Sequence, residues 1–223
     1  MIISHRRKYL YFVVPKCASA TLRQSLAEHT DIGYPVTDYP QHLTMAEFMR
    51  TGHAPLMDDY FKFTFVRHPY DRLYSGYLQD RLASERYEGW IEAKGPIFRD
   101  PEMSFERYML DHVRQADIHT TWDWICFTPM CDFAFWEGEF RLDWFGRAEH
   151  FDADLARLSA KIGAPISRAE DRNVNTPPSA GLKYRDKYSR PMIEWVNETY
   201  RQDFEVFGYE PLDPSLFPAT APA

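Results

Sequence analysis

Cysteine is sparse in this chain of 223 residues: Cys17, Cys126 and Cys131 are all there is. They form no CxxC pair and no zinc-ligand spacing, so neither a redox dithiol nor a structural zinc site is expected. The odd count and low density suit a reducing compartment, and a cytoplasmic location follows as an expectation. A basic surplus is also missing. The formal net charge is −7, which argues against a general nucleic-acid binder. It leaves room for a local anion site, because a few Lys and Arg residues make a positive cleft in an acidic protein. Long apolar runs are missing too. The N-terminal run in MIISHRRKYLYFVV is too short to span a membrane, so it reads as a first strand and not as a signal peptide or integral segment. There is no internal repeat and no low-complexity tract. Hydrophobic residues make up 44% and aromatics 16%, enough for a sizeable core.

What is present begins with YLYFVVPKCASATLRQSL, Tyr9 to Leu26. An apolar strand from Tyr9 to Val14 is stopped by Pro15. Small and hydroxyl residues follow: Cys17, Ala18, Ser19, Ala20 and Thr21. Leu22 and Leu26 then open a helix. Strand, small-residue turn, helix presents backbone N–H groups and a positive helix end to an anion. Lys16 stands at the lip of that turn, where an ammonium can reach a phosphate. The stretch has no Gly, and its Lys comes first, so it is not G-x-x-x-x-G-K-[ST]. An ordinary connection with a solvent-facing Lys remains open on these residues alone.

A second stretch repeats the layout. FKFTFV, Phe61 to Val66, is a strand; Arg67 ends it and Pro69 fits the first turn of a helix. An Arg at the carboxyl end of a strand lies where open α/β sheets bind ligands. Its planar fork suits a phosphate, and Ser75 can add a hydroxyl. Pairing of Arg67 with Asp71 is the plain alternative. Between the two stretches, Thr30 to Gln41 is a loop, and His42 precedes a short helical segment, Leu43 to Arg50.

PKCASATL and FVRHPYDRLYSGYLQ together resemble the sulfotransferases, in the branch of Golgi carbohydrate sulfotransferases and their bacterial relatives. PKCASATL is similar to the family's loop for the 5′-phosphosulfate of PAPS (3′-phosphoadenosine-5′-phosphosulfate). FVRHPYDRLYSGYLQ is similar to its 3′-phosphate motif, R-x-P-x-x-R-x-x-S-x-Y. DWFGRAEHFDADLARLSAKIGAP and YRDKYSRPMIEWVNETYRQDFEVFGYE resemble the family's later segments. The resemblance implies a P-loop-like three-layer α/β fold, with a central, mainly parallel sheet flanked by helices, in one domain over 1–210. A Pro/Ala-rich tail, 211–223, follows and reads as loosely ordered. The resemblance further implies PAPS as co-substrate without a metal. It places donor-binding roles on Pro15, Lys16, Cys17, Ala18, Ser19, Ala20, Thr21, Arg67 and Ser75, and on Lys183 and Tyr184 in a loop that closes over the nucleotide. Its acceptor would be a small molecule or glycan; nucleic acid is not an expected partner. Ala20 stands where relatives often carry Thr or Ser, and His68 where Asn or Asp is common.

Sulfuryl transfer needs in-line positioning, stabilisation of the leaving phosphate and a base for the acceptor proton. Lys16 is expected to stabilise the phosphate and His42 to take the proton, with His119, His68 or an acid between Arg81 and Ile118 as rivals. Protonation of His42 should then remove activity at acidic pH. Two other classes share parts of this pattern. A nucleotide-dependent kinase would need GK[ST] and a Mg2+-binding acid, and a non-catalytic nucleotide- or glycan-binding module would tolerate loss of Lys16 or Arg67.

The remaining segments read as follows. Arg81 to Ser104 is a polar insertion or flexible helix. His119 to Phe145 is aromatic-dense, core-filling or sugar-stacking, and ends in a strand, Phe140 to Phe145. An amphipathic helix from Phe151 stops at Gly163. Arg168 to Lys187 is a loop, and one closing helix carries Met192, Ile193, Val196, Tyr200 and Phe204.

Overall fold

The structure, a computed structural model, describes residues 1–86, 94–169 and 184–221. Contacts gather the chain into two units. One is built from Met1–Arg67 and the segment that begins at Met130; the other from His68–Pro129 and the C-terminal segment.

The first unit holds a four-stranded sheet. β1 (Ile2–Ser4) and β2 (Tyr9–Tyr11) form an antiparallel hairpin. β2 pairs in parallel with β3 (Phe61–Val66), and β3 in parallel with β6 (Trp144–Arg147). The sheet is therefore mixed, mostly parallel, in the order β1-β2-β3-β6. The N-terminal stretch divides where Lys8 takes a left-handed φ of 51° and turns the chain back. Regular pairing in β2 ends at Tyr11, but Phe12 N–H still donates to Phe63 O (2.9 Å) and Thr64 Oγ1 donates to Phe12 O (2.6 Å). These bonds carry the chain in register to the turn after Val14. Gly146 sits opposite Phe65, and a Cβ there would come within 2.6 Å of the Phe65 ring. Only glycine lets that ring lie across the strand.

The strand expected at Phe140–Phe145 is displaced. Phe140 belongs to a small exposed hairpin of β4 (Phe135–Trp136) and β5 (Glu139–Phe140), and the sheet strand begins at Trp144. α1 (Ser19–Ser25) follows the turn after β2, and α2 (Met45–Met49) follows His42. A reciprocal capping box fixes the start of α2: Thr44 N–H donates to Glu47 Oε2 (2.7 Å) and Glu47 N–H to Thr44 Oγ1 (3.3 Å). α5 (Phe151–Ile162) buries Leu155, Leu158 and Ile162 and ends at left-handed Gly163, as its periodicity predicts.

The second unit is helical around α3 (Pro69–Arg86). Its core is aromatic: Tyr70, Tyr77, Tyr108, Phe127, Tyr188 and Tyr200 are all buried. α4 (Phe105–Arg107) runs into a π-turn, Tyr108–His112. The closing helix is two helices, α6 (Arg190–Thr199) and α7 (Arg201–Phe207), broken at Tyr200. The described part of Arg81–Ser104 is anchored. Lys94 is buried on Asp80 (2.8 Å), whose carboxylate also accepts from Tyr108 Oη (2.7 Å). The tail docks instead of staying loose. Arg190 N–H donates to Pro218 O (2.7 Å), Ala221 N–H to Glu106 Oε2 (3.1 Å), and Phe217 is buried. Of the aromatic-dense stretch, Phe127 and Phe133 fill cores while Trp122 is 55% exposed. Among the described residues, no helix is long and apolar enough to cross a membrane.

Candidate active site

The turn between β2 and α1 has unusual backbone. Lys16 (φ 65°) and Ala18 (φ 56°, ψ 22°) are both left-handed without being glycine. Such residues cost of order 1 kcal/mol or more each and collect at ligand clamps. Left-handed residues of this kind curl successive N–H groups toward one point, the geometry of an anion-binding nest. No side chain caps the start of α1, where the first N–H groups of a helix need partners from outside it. Lys16, Ser19 and Ala20 are half-exposed; Pro15, Cys17 and Thr21 are buried. Cys17 directs its sulfur inward, 4.0 Å from Met130 Sδ, so only its backbone can face a ligand.

Two further candidates are tied to this turn by hydrogen bonds. Arg67, the residue after β3, donates from Nη1 to Lys16 O (3.2 Å). The pairing of β2 with β3 sets that reach, since it places the ends of both strands side by side. His42 bonds through Nδ1 to Val13 O (2.7 Å), two residues before Pro15. A carbonyl only accepts, so Nδ1 carries the hydrogen and Nε2 the lone pair. Burial, above all, pushes this imidazole from its ordinary 6.5 down to about 3; the Val13 bond opposes that, while the Met1 amine, Arg23 and Lys16 add to it. His42 is therefore neutral through the whole physiological range. The loss of activity expected at acidic pH from His42 protonation therefore moves down toward pH 3.

The first unit thus brings together Pro15 to Thr21, His42 and Arg67. Ser75 and Tyr184 belong to the second unit. Ser75 is 6% exposed on α3, and Tyr184, 4% exposed, packs with His68, Tyr70 and Tyr188. Lys183 lies outside the described residues. Of the rival bases, His68 is surrounded by Tyr70, Tyr184, Phe204 and Tyr209, and His119 is exposed on the second unit. One residue close to the turn is not legible as functional from sequence. Arg23, on α1, donates from Nε to Ser19 O (3.2 Å) and from Nη1 to Gln41 Oε1. On the sequence it is one more polar position of a short helix.

A family model described as "Sulfotransferase family" matches residues 1–210. The chain belongs to the sulfotransferase family. Carbohydrate sulfotransferase 14 of Mus musculus is 23% identical over 94% of this sulfotransferase chain and 60% of its own length. The Homo sapiens protein of the same name is 22% identical over the same shares. The chain thus spans about 60% of the length of these curated relatives. No solved structure matches it significantly. Around this turn the chain holds the left-handed Lys16, Arg67 bonded to the Lys16 carbonyl and a neutral His42 bonded to Val13 O.

Proposed function

We propose that this chain transfers a sulfuryl group from PAPS to a hydroxyl or amine of an acceptor, with a carbohydrate as the acceptor class suggested by its relatives. The observation that carries the reading is the left-handed turn at Lys16 and Ala18, with Arg67 bonded to its carbonyl and His42 bonded just before it. The left-handed turn fits the donor: a backbone so bent offers N–H groups to a phosphosulfate without side chains in the way. In this reading β2, the turn and α1 are the P-loop-like element of a sulfotransferase domain that extends over 1–210, the span of the family match.

Residues Pro15 to Thr21 hold the 5′ end of the donor, and Arg67 with Ser75 binds its 3′-phosphate. Lys183 and Tyr184 are assigned to the nucleotide by resemblance alone. The acceptor oxygen attacks sulfur as the bond from sulfur to the phosphate oxygen breaks. The acceptor proton passes to the lone pair on His42 Nε2, and the departing phosphate keeps the electron pair. Lys16 and the turn amides stabilise that charge. In this scheme Lys16 and Arg67 are the cations that meet the phosphates.

Two variants test it on purified protein with PAPS and a panel of hydroxyl-bearing saccharides, read by mass gain of a sulfo group. His42→Ala should bind PAP (3′-phosphoadenosine 5′-phosphate) as wild type and lose roughly 10²–10⁴-fold in turnover, the usual span for a positioned base. Lys16→Ala should lose both turnover and donor affinity, since it touches the donor before and during transfer. Near-normal turnover in His42→Ala would make that histidine structural and move the base to His119 or to an acid between Arg81 and Ile118.

A further inference from the structure

Arg23 lies one turn into α1 and is half-buried. A solvated surface arginine would extend into water; this one uses both ends of its fork. Nε–H donates to Ser19 O at 3.2 Å, the carbonyl of the first residue of α1 where the helix leaves the turn, and Nη1–H donates to Gln41 Oε1. The guanidinium carbon stands 5.4 Å from the centre of the Tyr34 ring, so the loop before Gln41 covers it as well. Gln41 is the residue before His42. On the other side of His42, the Thr44–Glu47 capping box fixes the chain, and His42 itself is bonded to Val13 O.

We propose that Arg23 is the positioning residue of this site: by bridging the Ser19 carbonyl and the Gln41 side chain, it sets where His42 stands relative to the donor turn. The proposal rests on the reading of His42 as the base. A guanidinium is suited to the task because its planar fork makes two directed bonds at once; a lysine ammonium in the same place is a single flexible point charge. Arg23 also acts on His42 through its charge. The charged groups that bear on the imidazole are the Met1 amine, Arg23 and Lys16; each in its charged form favours the neutral ring, and burial holds the Met1 amine well below its ordinary pKa. Geometry and charge can therefore be separated by choice of variant.

Gln41→Ala cuts the tether and keeps the charge. Arg23→Lys keeps the charge and loses the fork. Arg23→Gln loses both. Each is measured for PAP affinity by calorimetry, for PAPS turnover by PAP release (with the saccharide that gains a sulfo group in the screen, and with water as acceptor), and for titration of the His42 ring by NMR. Gln41→Ala should bind PAP as wild type and lose about 10- to 100-fold in kcat, in keeping with the cost of a small misplacement, without any movement of the His42 titration. Arg23→Lys should behave alike. Arg23→Gln should show the same kcat loss and, in addition, a His42 titration moved to higher pH. If His42→Ala is inactive while Gln41→Ala and Arg23→Lys turn over as wild type, the positioning role falls and the base assignment stands. If His42→Ala is active, both fall together. An Arg23→Gln protein with an unmoved His42 titration would overturn the electrostatic half of the proposal. Gln41→Ala, which leaves the buried part of Arg23 in place, keeps the test open should Arg23→Gln fail to fold.

Discussion

The two units treat positive charge in opposite ways. In the first, Lys16 in the turn after β2 and Arg67 just past β3 are half-exposed, and Arg67 is bonded to the backbone of that turn. In the second, two cations, Arg72 and Lys94, are sealed inside. Arg72 is fully buried, donates to Cys126 O (3.2 Å) and Thr128 O (2.8 Å), and faces the Tyr200 ring at 5.8 Å. Lys94 is 3% exposed, paired with Asp80, and lies 4.6 Å from the centre of the Trp124 ring. A charge left accessible at a strand end can be lent to a ligand, whereas one buried among carbonyls and rings is committed to the fold. Arg67 and Arg72 stand five positions apart in the sequence, one half-exposed after a strand and the other sealed in a core.

That contrast is broken most readily at Lys94. Lys94→Met strands the Asp80 carboxylate in an aromatic core, so unfolding free energy should fall by about 3–5 kcal/mol, as for other buried pairs cut on one side. Folded Lys94→Met protein should still bind PAP. A denaturant titration that shows a loss below about 1 kcal/mol, the range of surface pairs, would mean that the pair is not sealed. Arg67→Ala should do the reverse. Its stability should stay near wild type, while donor affinity drops by about 1.5–3 kcal/mol, the usual worth of a hydrogen bond to a charged group. Equal affinity of the wild type for PAPS and for its analogue lacking the 3′-phosphate would remove Arg67 from the donor site.

A third effect concerns pH. Folding depresses the His42 pKa from 6.5 to about 3, so the native state favours the neutral ring. The stability this contributes is fully present above about 6.5 and is lost as pH falls toward 3. His42→Asn should flatten that slope in thermal melts run across the window. A slope unchanged by the substitution would show that the ring titrates as it does in the unfolded chain. Anionic PAP beside the ring should oppose the depression and raise the His42 pKa.

Much of the first unit is legible in the sequence. An apolar run cut by Pro15, then five small residues, then leucines at helical spacing leaves few alternatives to strand, turn and helix. FKFTFV with Arg67 and Pro69 reads the same way. The β1–β2 hairpin is not legible, because its strands are three residues long and Lys8, not a glycine, takes the left-handed turn position. Phe140 is apolar yet half-exposed in a hairpin of its own, since Glu137 and Gly138, both at positive φ, turn the chain early. The tail reads as loose by composition, but buried Phe217, with Leu212 and Ala221 packed beside the core and two backbone hydrogen bonds, seats it. Within the site, the motif residues are legible and their supports are not. Burial of Arg72 and Lys94, and the Arg23 bridge to Gln41, depend on partners 14 to 56 positions away, and no local pattern marks them.

In the proposed function, the strained turn at Lys16 and Ala18 is a phosphosulfate-nucleotide site. Thermal unfolding with PAP against ATP–Mg2+ tests it most directly, because a ligand that binds only the native state raises apparent stability. Selective stabilisation by PAP, lost in both Lys16→Ala and Arg67→Ala, is the predicted result. Stabilisation by ATP–Mg2+ with none from PAP would contradict it.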